Sequence, residues 1–273
     1  MTTFQINISK KRSWWPRRQH LFSLPDSWEE VEPTKKLKSI LLLTRHKGAE
    51  AQLRLLRLWL GLKQKTFQRL LLTLTPEALT SILRLTDWVF APDIFLYIEN
   101  FHHNELEHTY PGRDFEAGIG VEYPVADEFY TAYLETGERE QLVRLTAALA
   151  RPEGKPITSR TDALQRAETM QQLPDEVLTA SFLYFDHVKK VIHDTFQMLF
   201  KNPEEDSEES NVIDFGWWSR YEDIAETTIF GAVEQVQQQN FFTLCMYLVR
   251  KKSIADEQEQ KMKMQKAKNQ IND

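Results

Sequence analysis

The chain has 273 residues, 34 basic and 40 acidic side chains, a formal net charge of −6 and a pI near 5.7. This balance excludes an electrostatic reason to expect general nucleic-acid binding, since such domains are usually strongly basic. Glycine is scarce, at 9 residues, and β-sandwiches and barrels use more of it in their turns, so the composition predicts a mainly α, multi-helix bundle.

Two short extended segments open the chain. Residues 4–8 alternate apolar and polar side chains, and residues 21–24 form a second extended piece. We expect the two to pair as a small N-terminal β-hairpin. Trp14 and Trp15 lie between them, followed by Pro16. These tryptophans either bind a partner or pack against the helices of the same chain.

Amphipathic periodicity then predicts helices over most of the chain. The predicted ranges are 34–44, 49–60, 63–72, 75–88, 125–134, 138–150, 162–172 and 174–200. Thr75 is the expected N-cap of its helix, and Pro76 occupies the first helical position. The periodicity fails between Ala91 and Tyr123, and a stretch of this length without regular structure is more often functional or partner-binding than idle.

The C-terminal third is predicted to be a helical pair behind a linker. Residues 202–211 carry five acidic side chains and no apolar one, which is typical of a flexible linker. Gly231 is the expected left-handed C-cap between the two helices. The predicted organisation is a helical domain over 1–201, a linker over 202–211, the helical pair over 212–252 and a charged tail over 253–273.

The helical pair is unusually aromatic, and large aromatic side chains dominate interface energies. We therefore expect it to bind a partner helix in a groove; the alternative is that the same residues close the core of their own domain. The expected groove residues are Trp217, Trp218, Tyr221, Phe230, Phe241 and Phe242.

No motif in the chain indicates catalysis, a metal or a cofactor. His102, His103 and His108 form the densest group of ligand-like residues, but the spacing of six between the outer two and the lack of a nearby Cys argue against a metal site. Gly118-Ile119-Gly120 lacks the third glycine of a dinucleotide-binding loop. Cys245 lies among Phe, Leu and Met, where a free Cys is usually a small core residue.

The expected location is the cytoplasm. No early stretch resembles a signal peptide. The apolar run over 241–249 is about half the length needed to cross a bilayer. We therefore expect no membrane span.

Three segments resemble phage-type proteins encoded in Bacteroidetes genomes and prophages. The first is the opening Leu24–Val31. The second consists of residues 125–133 and 142–152, and the third consists of the C-terminal stretches 216–218, 229–236 and 240–242. The second ends in Arg151-Pro152 and is similar to a Leu-x-x-Leu-x-Ala-x-Leu-Tyr-Arg-Pro signature, with Ala150 in place of the aromatic residue.

The resemblance implies a role in building a tail-like particle, and the nearest analogue is a tail assembly chaperone that holds apolar helices of the tape-measure protein. That family has no catalytic residues to transfer. The expected function is therefore a non-enzymatic phage-tail assembly protein that binds a protein partner. The alternatives are an oligomeric virion subunit, such as a connector or baseplate component, and a metal-dependent enzyme centred on His102, His103 and His108.

Overall fold

The computed structural model describes residues 2–7, 19–91, 97–200 and 216–272. The predicted mainly α fold with a small N-terminal β-hairpin is confirmed. The chain forms two compact units, one from the described residues of Met1–Ile98 with Pro174–Leu183, the other from those of Glu99–Leu173 with Tyr184–Asp273. The predicted linker 202–211, Trp14 and Trp15 lie outside the described residues. Within the described ranges, no helix is both long and apolar enough to cross a membrane.

The first unit begins with the predicted hairpin. Strand β1 (Thr2–Asn7) pairs antiparallel with β2 (Gln19–Leu24), and Phe4 lies opposite Phe22. Trp28 follows in the core of this unit, at 5% exposure, and its indole Nε1 donates a hydrogen bond to the carbonyl of Tyr97. This bond satisfies the polar edge of an otherwise buried side chain.

Four short helices complete the first unit. They are α1 (Pro33–Arg45), α2 (Gly48–Trp59), α3 (Gln64–Thr73) and α4 (Pro76–Arg84), with a 3-10 turn at Asp87–Phe90. The predicted cap of α4 is confirmed, because the hydroxyl of Thr75 accepts a hydrogen bond from the backbone N–H of Ala78. Trp59 is buried and stacks on Trp88 at a ring distance of 5.7 Å.

The second unit contains a small β-sheet, two strands of which lie within residues 91–123, where the helical periodicity of the sequence fails. Strands β3 (Asn100–His103) and β4 (Leu106–Thr109) form a hairpin, and β5 (Arg151–Pro152) pairs with β4. The sequence analysis did not predict this hairpin, because it found no regular periodicity in the stretch. Asn104 and Glu105 make the turn with φ values of 49° and 65°, the left-handed conformation of the tight turns that suit the twist of a hairpin.

Eight helices are described in the second unit, and the first five cover the predicted ranges to within three residues at each end. They are α5 (Glu122–Thr136), α6 (Arg139–Leu149), α7 (Arg160–Thr169), α8 (Asp175–Thr195), whose first residues belong to the first unit, α9 (Gln197–Phe200), α10 (Trp217–Ala225), α11 (Val233–Gln237) and α12 (Phe241–Asn272).

The C-terminal helical pair departs from the sequence prediction in two ways. Its second member is interrupted between α11 and α12, where the side chain of Asn240 accepts a hydrogen bond from the backbone N–H of Thr243 and starts a new helix. Gly231 does adopt a positive φ of 86°, but α10 has already ended at Ala225 with Glu226 as its C-cap. The placement of Gly231 as that cap was wrong.

Candidate functional site

The aromatic side chains of the C-terminal helices meet those of α5 in one packed group, which we call the aromatic cluster. Phe241 stacks on Tyr123 with ring centroids 4.4 Å apart, and Trp217 lies 4.8 Å from Phe241. Phe115 and Phe185 complete the cluster, at 5.9 Å from Phe241 and 5.5 Å from Tyr123. Phe115, Phe185 and Phe241 have no exposed surface, so the cluster is part of the core of the second unit.

Backbone hydrogen bonds hold the loop before α5 against the break between α11 and α12. The N–H of Gly120 donates to the carbonyl of Gln239, and the N–H of Phe241 donates to the carbonyl of Gly118, both at 2.8 Å. The hydroxyl of Tyr221 donates to the carbonyl of Gly120 at 2.5 Å. These contacts provide hydrogen-bond partners for backbone groups that would otherwise be buried without one.

Packing explains the glycines of this loop. A Cβ atom on Gly118 would lie 2.1 Å from the ring of Phe115, and one on Gly120 would lie 3.0 Å from the carbonyl oxygen of Gln237. Neither distance leaves room for a side chain. Gly118 therefore accommodates the ring of Phe115 in its own loop, and Gly120 reflects the close approach of the segment at Gln237.

The expected partner-binding residues differ in how deeply they are buried in the structure. Tyr221 and Phe241 are fully buried within the second unit, as the core alternative anticipates. Trp217, Phe230 and Phe242 are partly buried, and Trp218 is 37% exposed. Partner binding by these residues stays a prediction. Only the partly exposed ones are free to contribute to it without unfolding the core.

Two further apolar residues of the C-terminal region are exposed, and the sequence prediction did not name them. Ile229 is 65% exposed and Met246 is 63% exposed. Ile229 precedes Phe230 and Met246 precedes Tyr247, and the rings of Phe230 and Tyr247 meet edge to face at 5.4 Å. We call Trp218, Ile229, Phe230 and Met246 the C-terminal apolar surface. Periodicity could have identified Met246, since it falls outside the apolar stripe of α12.

A buried ion pair supports the same loop from the other side. Glu122, at the start of α5, has no exposed surface, and the guanidinium of Arg151 donates to both of its oxygens, at 2.8 and 2.5 Å. Arg151 also donates to the carbonyl of Ala117, and Glu122 accepts from the N–H of Ile119. Burial raises the pKa of Glu122, and the hydrogen bonds from Arg151 oppose that rise.

Sequence reasoning missed this pair. The available signal was a single carboxylate inside the apolar run 121–126, together with the arginine of the Arg-Pro signature. A charge in such a run is rarely buried without a partner.

The charged groups between α5 and α8 are paired with one another. Lys189 contacts Asp127, and the hydroxyl of Tyr130 donates to Asp186 at 2.5 Å. Burial and the carboxylate of Asp186 both raise the pKa of Tyr130, so this phenol stays protonated at neutral pH. Paired groups of this kind are common structural elements and do not by themselves indicate acid–base catalysis.

The histidines of the β3–β4 hairpin do not converge on a point. His102 is exposed, His103 contacts the carbonyl of Thr169 at 2.9 Å, and His108 is buried against the ring of Phe101. Burial, followed by nearby positive groups, lowers the pKa of His108. Among the described residues, no group of three or more His, Cys, Asp or Glu side chains is placed to hold a metal ion.

Cys245 lies on the buried face of α12. It is fully buried, and burial raises the pKa of its thiol to about 12. The thiolate is the nucleophilic form of cysteine, and at this pKa it is scarcely populated at neutral pH. Cys245 therefore serves as a small core side chain.

Comparison with known proteins gives no relative. The chain matches no protein-family model, no curated protein and no solved structure.

Proposed function

We propose that this protein is a non-enzymatic assembly protein that binds a helical segment of a partner protein through its C-terminal apolar surface. The resemblance of several segments to phage tail-region proteins gives the context: a tail-like or injection machine, with a tape-measure-like protein as the partner. The family that carries this resemblance has no catalytic residues to transfer.

The observation that supports this proposal is the exposure of Ile229 and Met246, which each precede in sequence one member of the Phe230–Tyr247 ring pair. Exposed apolar side chains grouped around aromatic rings are typical of protein-binding surfaces. A partner helix would cover these residues with its own apolar face. Phe230 and Tyr247 pack against the buried side chains of Tyr221, Ile224, Val236 and Leu244, which would hold this ring pair in place.

The test is co-expression with a long coiled-coil protein of the tape-measure class, followed by affinity purification of the complex. Ile229→Glu and Met246→Glu should each reduce the recovered partner at least tenfold, because each places a charge in the apolar contact. Gln238→Glu is the matched control, since it adds the same charge at an exposed polar position of the same region. Full recovery of the partner with both apolar variants would refute the proposal.

Phe241→Ala is unsuitable for this test. Phe241 is fully buried in the aromatic cluster, so its removal would perturb the fold and the surface together. A loss of binding in that variant would not separate the two effects.

The alternative function, an oligomeric virion subunit, is supported by helix α12. Its residues 255–265 are all exposed, although the helix continues to Asn272, and an isolated helical segment of this length is only marginally stable in water. Contacts with other copies would stabilise it. Light scattering distinguishes the two functions: a stable ring at micromolar concentration supports the subunit, and a monomer or dimer supports the partner-binding protein.

A further inference from the structure

The described residues of the first unit carry eleven Lys and Arg side chains and nine Asp and Glu side chains, and their positive charge is concentrated in residues 34–91. Residues 34–91 contain eleven Lys and Arg side chains, and their acidic side chains are only Glu50, Glu77 and Asp87. The formal charge of this segment is therefore strongly positive, although the whole chain has a net charge of −6. An asymmetry of this size within one chain indicates a surface for an acidic partner.

Within the described structure, several of these cations have no ion-pair partner. Lys38 is exposed on α1, Lys63 and Lys65 flank Gln64 at the start of α3, and Arg69 and Arg84 are exposed further along. In the part of the chain that the structure describes, none of the five forms an ion pair. By contrast, Arg54 pairs with Glu50 within α2.

An apolar groove lies within the first unit, and Lys38 is the one of these five cations that lines it. It has a volume of about 400 Å³ and is formed by α1, the end of α2, the turn that follows it and the first turn of α8. Four partly buried leucines line its floor: Leu41, Leu42, Leu58 and Leu62. Lys38, Arg57 and Glu176 stand at its edge.

We propose that this groove binds an acidic amphipathic helix of a partner protein. The leucines would receive apolar side chains spaced three and four residues apart, and Lys38 and Arg57 would attract carboxylates that flank them. The positive charge of the segment 34–91 would speed the encounter with an acidic partner. The groove is formed by the first unit alone, so binding here does not depend on the C-terminal apolar surface.

The lining favours a peptide over a nucleic acid. The phosphate groups of a nucleic acid gain no affinity from contact with four leucines. Single-stranded nucleic acids gain affinity by stacking their bases on exposed aromatic rings. None of the described residues that line the groove is aromatic, so the groove offers no ring on which a base could stack. Duplex DNA, which proteins can bind without sequence preference through its phosphates, is therefore the rival to include in the test.

The test uses the full chain and fluorescence anisotropy with a labelled peptide of about four helical turns, with leucines at one face and glutamates elsewhere. The controls are a scrambled peptide of the same composition and a labelled DNA duplex. We expect the amphipathic peptide to bind at least tenfold more tightly than the scrambled one. Its affinity should fall as NaCl is raised from about 0.05 M to about 0.3 M, because salt screens the charge attraction.

Variants locate the site. Leu58→Glu should weaken peptide binding at least tenfold, and Lys38→Glu several-fold, while Arg84→Glu, a charge reversal at an exposed residue that does not line the groove, should have little effect. Lys38→Glu keeps the test informative if Leu58→Glu does not fold. Equal binding of the scrambled peptide, an equal loss with Arg84→Glu, or binding of DNA without binding of the peptide would each overturn the proposal.

Discussion

The buried pair of Glu122 and Arg151 offers a sharp test of what holds the second unit together. Arg151→Met removes the guanidinium and keeps a side chain of comparable length. The variant loses two hydrogen bonds to Glu122 and one to the carbonyl of Ala117. Glu122 is left with no exposed surface and with the N–H of Ile119 as its remaining hydrogen-bond donor in the described structure.

Removing one partner of a buried ion pair costs about 3–5 kcal/mol, because the other charge stays buried without compensation. We therefore expect Arg151→Met to lower the free energy of unfolding by about 3–5 kcal/mol at neutral pH. Combining it with Glu122→Gln should recover about 1–3 kcal/mol of this loss, since the introduced amide carries no charge and still accepts from Ile119. Urea denaturation followed by circular dichroism measures both values, and hydrogen exchange of the peptide over 118–129 assigns the effect to this site.

The pH dependence supplies an independent check. Burial raises the pKa of Glu122 in the folded protein, and loss of Arg151 removes the group that opposes this rise. The folded state then favours the protonated acid more strongly than the unfolded state does. The free energy of unfolding of Arg151→Met should therefore decrease as the pH rises from the unfolded pKa of Glu122 towards its raised folded pKa. The loss should be larger at pH 8 than at pH 5. A loss below about 1 kcal/mol, or a double variant as unstable as the single one, would refute the reasoning.

Three further predictions concern the same unit. Phe241→Ala should lower the free energy of unfolding by about 3–5 kcal/mol, since it opens a cavity among Tyr123, Phe115 and Trp217, whereas Trp218→Ala should cost about 1 kcal/mol in the same urea titration. Gly118→Ala should lower the free energy of unfolding by about 1–3 kcal/mol, because it forces a methyl group into the ring of Phe115. Gly154→Ala is the control, since its φ is 76° but a Cβ atom there meets no neighbouring atom. If Gly118→Ala costs no more than Gly154→Ala, the packing argument is wrong. The pKa of His108 is lower in the folded state than in the unfolded state. As the pH drops below about 6.5, the unfolded state therefore binds a proton before the folded state does, and the free energy of unfolding should decrease between pH 7 and pH 5. His108→Leu should flatten that decline and the exposed control His102→Leu should not; parallel pH profiles for the wild type and His108→Leu would show that burial of this imidazole is not responsible.

The sequence alone determined the helical part of the fold, because helices are specified by local signals. Thr75 and Pro76 mark the start of α4, and the three- and four-residue spacing of leucines predicts α1 to α3 within one or two residues at each end. The N-terminal hairpin was also predictable, since its two strands alternate in a short stretch of chain. The β3–β4 hairpin was not: its strands have four residues each, and the turn at Asn104 and Glu105 lacks the usual glycine.

Only the tertiary structure decided which aromatic residues face inward and which charge is buried. The sequence identifies Trp217, Trp218 and Phe241 as a group, but the burial of Trp217 and Phe241 depends on Tyr123 and Phe115, which lie in a distant part of the chain. Likewise, Arg151 meets Glu122 across 29 residues. Such pairings cannot be deduced from local periodicity, because the fold determines which distant segments come together and desolvate each other.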